Sequence, residues 1–255
     1  MQGLTGGEAS PRYVALREIR GEEELADLSP AALVEKLVVA DGSAPLDALS
    51  LSDQDRLLEE VYRNLYGAEV GCHAVCVACG KAFEMSFSLD DWIRSLVADD
   101  DPGVRSVGDG TFDLPQQDGL ERVRFRLPTE VDVARAAAGD EAEAARALRS
   151  LCVLEGDSED PRLDAAMARV GPLLDDEIEA ECAHCGASQT VAFRLADYLL
   201  ASLRRERPLV LREVHCLARS YHWSRPDILS MPRSFRREHV RLVLAETEQG
   251  DRSWL

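Results

Sequence analysis

Two short hooks decide the fold: CVACG at 76–80 and CAHCG at 182–186. Each sets two cysteines three positions apart with a glycine directly after. That is the form of a zinc knuckle, in which a tight turn aims two thiolates at one ion and glycine supplies the backbone freedom. Two knuckles give four sulfurs, so Cys76, Cys79, Cys182 and Cys185 are enough to close a tetrahedral structural site. The likeness runs past the cysteines. A shift of 106 positions also aligns Phe87 with Phe193, Leu89 with Leu195, Asp91 with Asp197, Trp92 with Tyr198 and Ile93 with Leu199. Knuckle, short apolar strand and helix start therefore occur twice, an internal repeat that has to be recognised before a fold is assigned.

Four unrelated buried thiols have no reason to share spacing and downstream residues. Disulfides fit little better. The opening MQGLTGGEAS lacks the apolar core of a secretory leader, seven cysteines is an odd number, and the cytoplasmic, reducing setting this implies favours metal. One structural zinc ion is expected, and four protein sulfurs leave it no open position for substrate. Cys72 and His73, beside the first pair, and His184, inside the second, are the substitute ligands. Cys152 and Cys216 fall on apolar helical faces and read as core thiols.

At 255 residues the chain can bury a core in one domain or two small ones, and no run reaches the ~18–20 apolar residues of a membrane span. The net charge of −18 argues against general nucleic-acid binding, but it is uneven. Residues 201–241 hold ten arginines and four acids, a local excess of +6 that leaves −24 for the rest.

The periodicity predicts an α+β, mostly α-helical chain: a split four-cysteine zinc ribbon with a helical insertion and a C-terminal helical segment. An alternating stretch at 13–19 reads as a short strand. Ser29-Pro30 opens a helix to about 39, broken at 42–45; Ser52 caps the next, stopped by Gly67, which leads to the first knuckle. Residues 83–87 read as a strand, 89–97 as a helix, 98–119 as an acidic loop, and 123–127 (VRFRL) as a clean strand. Helices follow at 129–138, 141–154 and 163–174, the last running down to the second knuckle. Beyond it come the repeat strand (190–193), the repeat helix (195–204), a helix at 208–222, and a short helix capped by Ser224 with Asp227. A last helix starts at Pro232, offers Phe235, Val240, Leu242 and Val243 as its apolar surface and frays near 246. The domain division is 1–70, a repeat core of 71–97 plus 180–204, an insertion at 98–179, a basic segment at 205–247 and a tail at 248–255.

No GxSxG, P-loop, HExxH or GxGxxG ahead of a helix is present, so no enzyme and no small-molecule substrate are expected. His215 and His222 share a helix face beside Tyr221 and Trp223, an arrangement typical of packing at a helix junction. The C-terminal arginines suit a solvated face that offsets local acids, or a docking face for an acidic partner or for the chain's own acidic regions, with nucleic acid as a third option weakened by the overall charge.

The run EVHCLARSYHWSRPDILSMPRSFRREHVRLV (213–243) resembles the C-terminal motif of a family of baseplate proteins from T-even-like contractile phage tails and extracellular contractile injection systems. LREIRGEEE (16–24), LSDQDRLLEEVYRNLYG (51–67), both knuckles and FRLPTEVD (125–132) look similar to longer members of that group. The resemblance implies a non-enzymatic component or assembly factor of a contractile particle, with hub, spike or wedge proteins as partners. Residues 208–246 are then expected to carry much of the partner contact, with Tyr221, Trp223, Arg233, Arg236 and Arg237 as anchors, since aromatics and arginine dominate binding hot spots. The competing reading is a zinc-ribbon nucleic-acid binder or regulator.

Overall fold

The computed structural model describes residues 2–3, 13–39, 49–96, 103–137 and 139–252. The expected helix break at 42–45 and the acidic residues 97–102 lie outside these, as do most of the N-terminal segment and the last three residues. The fold is mixed, 51% helix and 25% strand. The elements run β1 (Gln2–Gly3), β2 (Tyr13–Leu16), α1 (Gly21–Leu25), α2 (Pro30–Leu37), β3 (Val38–Val39), α3 (Leu51–Tyr66), β4 (Glu69–Val75), β5 (Ala82–Ser88), α4 (Leu89–Leu96), β6 (Arg105–Gly108) and β7 (Thr111–Leu114). They continue as β8 (Val123–Arg126), α5 (Glu130–Ala136), α6 (Glu141–Cys152), β9 (Val153–Glu155), α7 (Leu163–Val170), β10 (Asp175–Glu181), β11 (Ser188–Arg194), α8 (Leu195–Tyr221), α9 (Arg225–Leu229) and α10 (Arg233–Arg252).

Two compact units form, one of Met1–Ala15 with Ala40–Ala196, the other of Leu16–Val39 with Asp197–Leu255. Packing thus groups residues 16–39 with the C-terminal segment, a pairing that the linear division into five segments does not contain.

In the first unit each knuckle is the turn of an antiparallel hairpin, β4 with β5 and β10 with β11. The expected strands at 83–87 and 190–193 are there and longer. The strands that enter the knuckles, β4 and β10, are additions to the sequence reading, which ran α3 and α7 straight into them. α3 stops at Gly67, whose φ of 85° suits only glycine, and α7 stops at Gly171. The cap of α3 lies two residues earlier than expected: the Ser50 hydroxyl accepts the Asp53 N–H, while Ser52 is buried and bonds Ser50.

The stretch read as an acidic loop also carries a hairpin, β6 with β7, turned by Asp109-Gly110, both at positive φ. It extends through β8 and β9 into a four-stranded sheet. Phe112, Leu114, Val123 and Phe125 project from this sheet onto Leu163 and Ala166 of α7, so the insertion has its own core. Thr129 and Asp132 cap α5 reciprocally, and Arg126 grips Asp132 with two nitrogens.

In the second unit α2 begins as expected, with the Ser29 hydroxyl accepting the Ala32 N–H and Pro30 in the first turn. The expected helices at 195–204 and 208–222 are one helix, α8, with Pro208 inside it. Proline removes one backbone bond, but its ring sits on the exposed side, and Leu203 and Val210 keep the buried face continuous. His222, at φ 56°, turns the chain out of α8. Val210, Val214 and Leu217 then pack with Ile228 and Leu229 of α9 and Val243 of α10. α10 continues to Arg252, past the expected fraying point. Of its four expected apolar residues only Val243 is buried and Val240 packs beside it; Phe235 and Leu242 are 48% and 52% exposed.

Candidate metal centre

The two hairpins match element for element. β4 and β5 map onto β10 and β11 at the 106-residue shift, end to end. In the first knuckle the Cys76 N–H bonds the Lys81 carbonyl at 2.9 Å and the Gly80 N–H bonds the Cys76 carbonyl at 2.8 Å. The second repeats both with Cys182 to Ala187 and Gly186 to Cys182, at 2.9 and 2.8 Å. Gly80 and Gly186 share a φ of 71°, the left-handed turn the spacing predicts. Past the strands, the Leu89 N–H bonds the Ala68 carbonyl and Leu195 bonds Leu174, again equivalent positions.

The hairpins meet so that all four sulfurs lie within 4.8 Å of one another. Cys76 Sγ stands 3.6 Å from Cys185 Sγ, and Cys79 Sγ 3.8 Å from Cys182 Sγ. Exchanging the repeats turns one contact into the other, the mark of a local two-fold. Phe87 and Phe193, also equivalent, meet each other edge to face at 5.0 Å, and Trp92 closes on Phe193 at 5.1 Å. A tetrahedral ion with metal–sulfur bonds of about 2.3 Å would hold its sulfurs about 3.8 Å apart, so the donor set fits.

Backbone N–H groups point at the sulfurs: those of Cys79 and Ala78 at Cys76, that of Lys81 at Cys79 and that of Ala187 at Cys185. They favour thiolate. Cys76 is brought down to about 6, first by the Cys79 N–H and further by those of Ala78 and the neighbouring thiols. Cys185 is pushed up to about 12; its Ala187 N–H favours the thiolate, but hydrogen bonding with the Cys76 and Cys79 sulfurs outweighs it. Four sulfurs this close do not ionise together without a cation between them, so loading the site would release protons. Thiolate ligands in a tetrahedral set suit zinc or iron.

Cys76 and Cys182 are buried with Phe83 and Ala180, while Cys79 and Cys185 are exposed. None of the substitute ligands joins them. His184 bonds the Ala82 carbonyl, His73 faces Glu84, and Cys72 lies back along β4 opposite Met85. Cys152 is fully buried, and burial pushes its thiol up to about 11. One residue was missed. Gln189 reaches from the second hairpin to the first, accepting from the Val77 N–H at 2.9 Å and donating to the Val75 carbonyl at 3.1 Å. Its signal is a break in the repeat: at the 106-residue shift Gln189 stands where the first repeat has Phe83.

The expected anchors of the C-terminal segment divide. Tyr221 and Trp223 are half-buried and stacked at 4.6 Å, with His239 beside Trp223 at 5.4 Å. Arg233 and Arg236 are not surface anchors in this structure: both are buried, Arg236 completely. Arg236 bonds Glu24 and, at 2.7 Å, Glu213; Arg233 pairs with Glu24 and Glu206. Arg237, half-buried, joins the same carboxylates of Glu206 and Glu213. Three arginines of α10 thus neutralise three glutamates from α1 and α8. The reason is in the spacing, since 233 and 236 continue the inward stripe of Val240 and Val243. Arg204 and Arg207 pair with Asp27, and Arg205 covers the Tyr198 ring. Arg212, Arg219, Arg225 and Arg241 are exposed and make no ion pair among the described residues. No helix among these residues is long and apolar enough to cross a membrane.

Comparison with protein-family models, with curated proteins and with solved structures gives no match to this chain.

Proposed function

We propose that the chain is a non-enzymatic scaffold of a contractile tail or injection-system baseplate, stapled by one zinc ion in a split zinc ribbon and docking on hub, spike or wedge proteins. The convergence of four sulfurs from two matched hairpins carries the structural part of this reading. Zinc is preferred because two CxxCG knuckles make a closed site, and an ion with four protein ligands has no position for a substrate. The role is then mechanical: the ion ties segments 103 positions apart.

The docking part rests on the resemblance of residues 213–243. Exposed side chains there supply the means. Phe235 and Leu242 lie seven positions apart on the outer face of α10, with His239 between them and Trp223 alongside. An exposed Phe235 and Leu242 beside a half-buried tryptophan are the usual makings of a binding hot spot. The site is expected to move from the buried arginines to these residues. Metal analysis of the purified chain should return one zinc per molecule, and none bound removes the staple. Pull-down of hub, spike and wedge proteins should succeed with the native chain and fail with Phe235→Ser/Leu242→Ser. Equal recovery by both removes this docking face.

A further inference from the structure

We propose that the four-sulfur centre is also an oxidation site, where a hydroperoxide converts the Cys79–Cys182 and Cys76–Cys185 contacts into two disulfides that join the repeats as the metal leaves. Metal release rests on the zinc reading above; disulfide formation needs only the sulfurs.

Both aligned sulfur contacts, 3.8 and 3.6 Å, run from one knuckle to the other. Each couples an exposed cysteine with a buried one: Cys79 with Cys182, and Cys185 with Cys76. That is the arrangement oxidation chemistry requires, an accessible sulfur to meet the peroxide and a sheltered thiolate at hand to resolve the product.

In the first step the Cys79 thiolate attacks one peroxide oxygen. The O–O bond breaks, hydroxide leaves, and Cys79 becomes a sulfenic acid. The Cys182 thiolate then attacks the Cys79 sulfur and expels the second hydroxide, forming the S–S bond. Two protons from solvent turn both hydroxides into water. The sulfur pair has lost two electrons and the peroxide has gained them. Cys185 and Cys76 repeat the sequence with a second peroxide. Without thiolate charge the cation has no ligands and departs. The segments stay clasped, because the new bonds span the same 103 and 109 positions the ion did.

The test uses the purified, zinc-loaded full chain. It is treated with hydrogen peroxide, quenched with catalase, alkylated with N-ethylmaleimide and digested with trypsin without reductant. Trypsin leaves Cys76 and Cys79 on the peptide 64–81, together with Cys72, and Cys182 and Cys185 on 170–194. The expected product is those two peptides joined, with only Cys72 alkylated, while a chromogenic indicator reads complete loss of bound zinc. Dithiothreitol with added zinc should restore the starting state. Two separate peptides with internal disulfides, sulfinic or sulfonic acids, or unmodified thiols that keep their metal would each overturn the proposal. Joined peptides from a chain that held no metal before treatment sink the zinc reading and leave the oxidation site standing. A zinc-bearing chain whose peptides never join does the reverse.

Discussion

On the proposed reading, one ion serving both repeats would make the stability of the first unit a function of free metal with a stoichiometry of one. For a metal that binds the folded state alone, stability rises with the logarithm of free metal, by about 1.4 kcal/mol per tenfold above the dissociation constant. With a urea dependence of roughly 2 kcal/mol/M, the unfolding midpoint should climb about 0.7 M per decade of free zinc. Two knuckles that each held their own ion would give twice that slope. The assay is urea unfolding at a series of chelator-buffered zinc concentrations, followed by far-UV circular dichroism. Cys79→Ser and Cys182→Ser supply the sharper arm. They lie on opposite repeats, and their sulfurs are 3.8 Å apart in the same cluster. Each alone should flatten most of the zinc dependence, and the double variant should lose little more, because either one already breaks the shared site. A midpoint indifferent to zinc, or losses from the two serines that simply add, would refute the single shared centre.

In the second unit, Arg236→Met takes from the buried Glu24 carboxylate one of its two arginine partners, leaving Arg233, and should cost roughly 3–5 kcal/mol; adding Glu24→Gln should recover part of it, and a double-mutant cycle in urea with no coupling would contradict the buried pair. Gly21→Ala would place a Cβ 2.7 Å from Leu229 and 2.9 Å from Arg236, so a loss of about 1–3 kcal/mol is expected in thermal melts, and an unchanged melt would mean that close approach is absent. The Arg126 guanidinium, with the Thr129 backbone and hydroxyl, holds the Asp132 carboxyl well below the usual carboxylate range. A depressed folded value contributes stability that is full above the unfolded value of about 4 and is lost as pH falls toward the folded one. The gap between wild type and Asp132→Asn should therefore narrow as acid is added below that point, and a gap constant with pH would rule this out.

Elements whose cause is local were legible in the sequence. Ser29-Pro30, Thr129 with Asp132, and Ser224 with Asp227 each carry a cap in the residues themselves, and the structure has a helix start at each. The four cysteines were legible through their repeat. The strands β4, β6, β7 and β10 were not, because their stability comes from the strand across the hairpin. β10, DDEIEAE, offers five acids and one large apolar residue, and only its ladder with β11 makes it a strand. Arg233 and Arg236 misled for a related reason. Charge argues for the surface, and the partner carboxylates of Glu24, Glu206 and Glu213 are up to 212 positions away. The positional signal was present all the same, because both arginines sit on the inward stripe of their helix.

The repeat also explains where the two halves depart from symmetry. At a local two-fold the residues that matter are those near the axis, and here they fall in two groups. Cys76, Cys79, Cys182 and Cys185 mark one region, and Phe87 against Phe193 marks the other. Between them the sequence breaks its own pattern. Phe83 fills the core under the sulfurs, while its counterpart Gln189 bonds the Val75 and Val77 backbone of the opposite hairpin. An amide there ties two exposed backbone groups of the first hairpin to the second, a contact an apolar side chain would leave to water, worth about 1 kcal/mol or less for each bond. The halves are thus joined by sulfurs, by an amide and by aromatic rings, and only the first of these depends on metal. On the proposed zinc reading, withdrawing the ion would loosen the sulfur end while the aromatic contact persists, so the expected response to zinc is a graded shift in stability and not outright collapse of the fold.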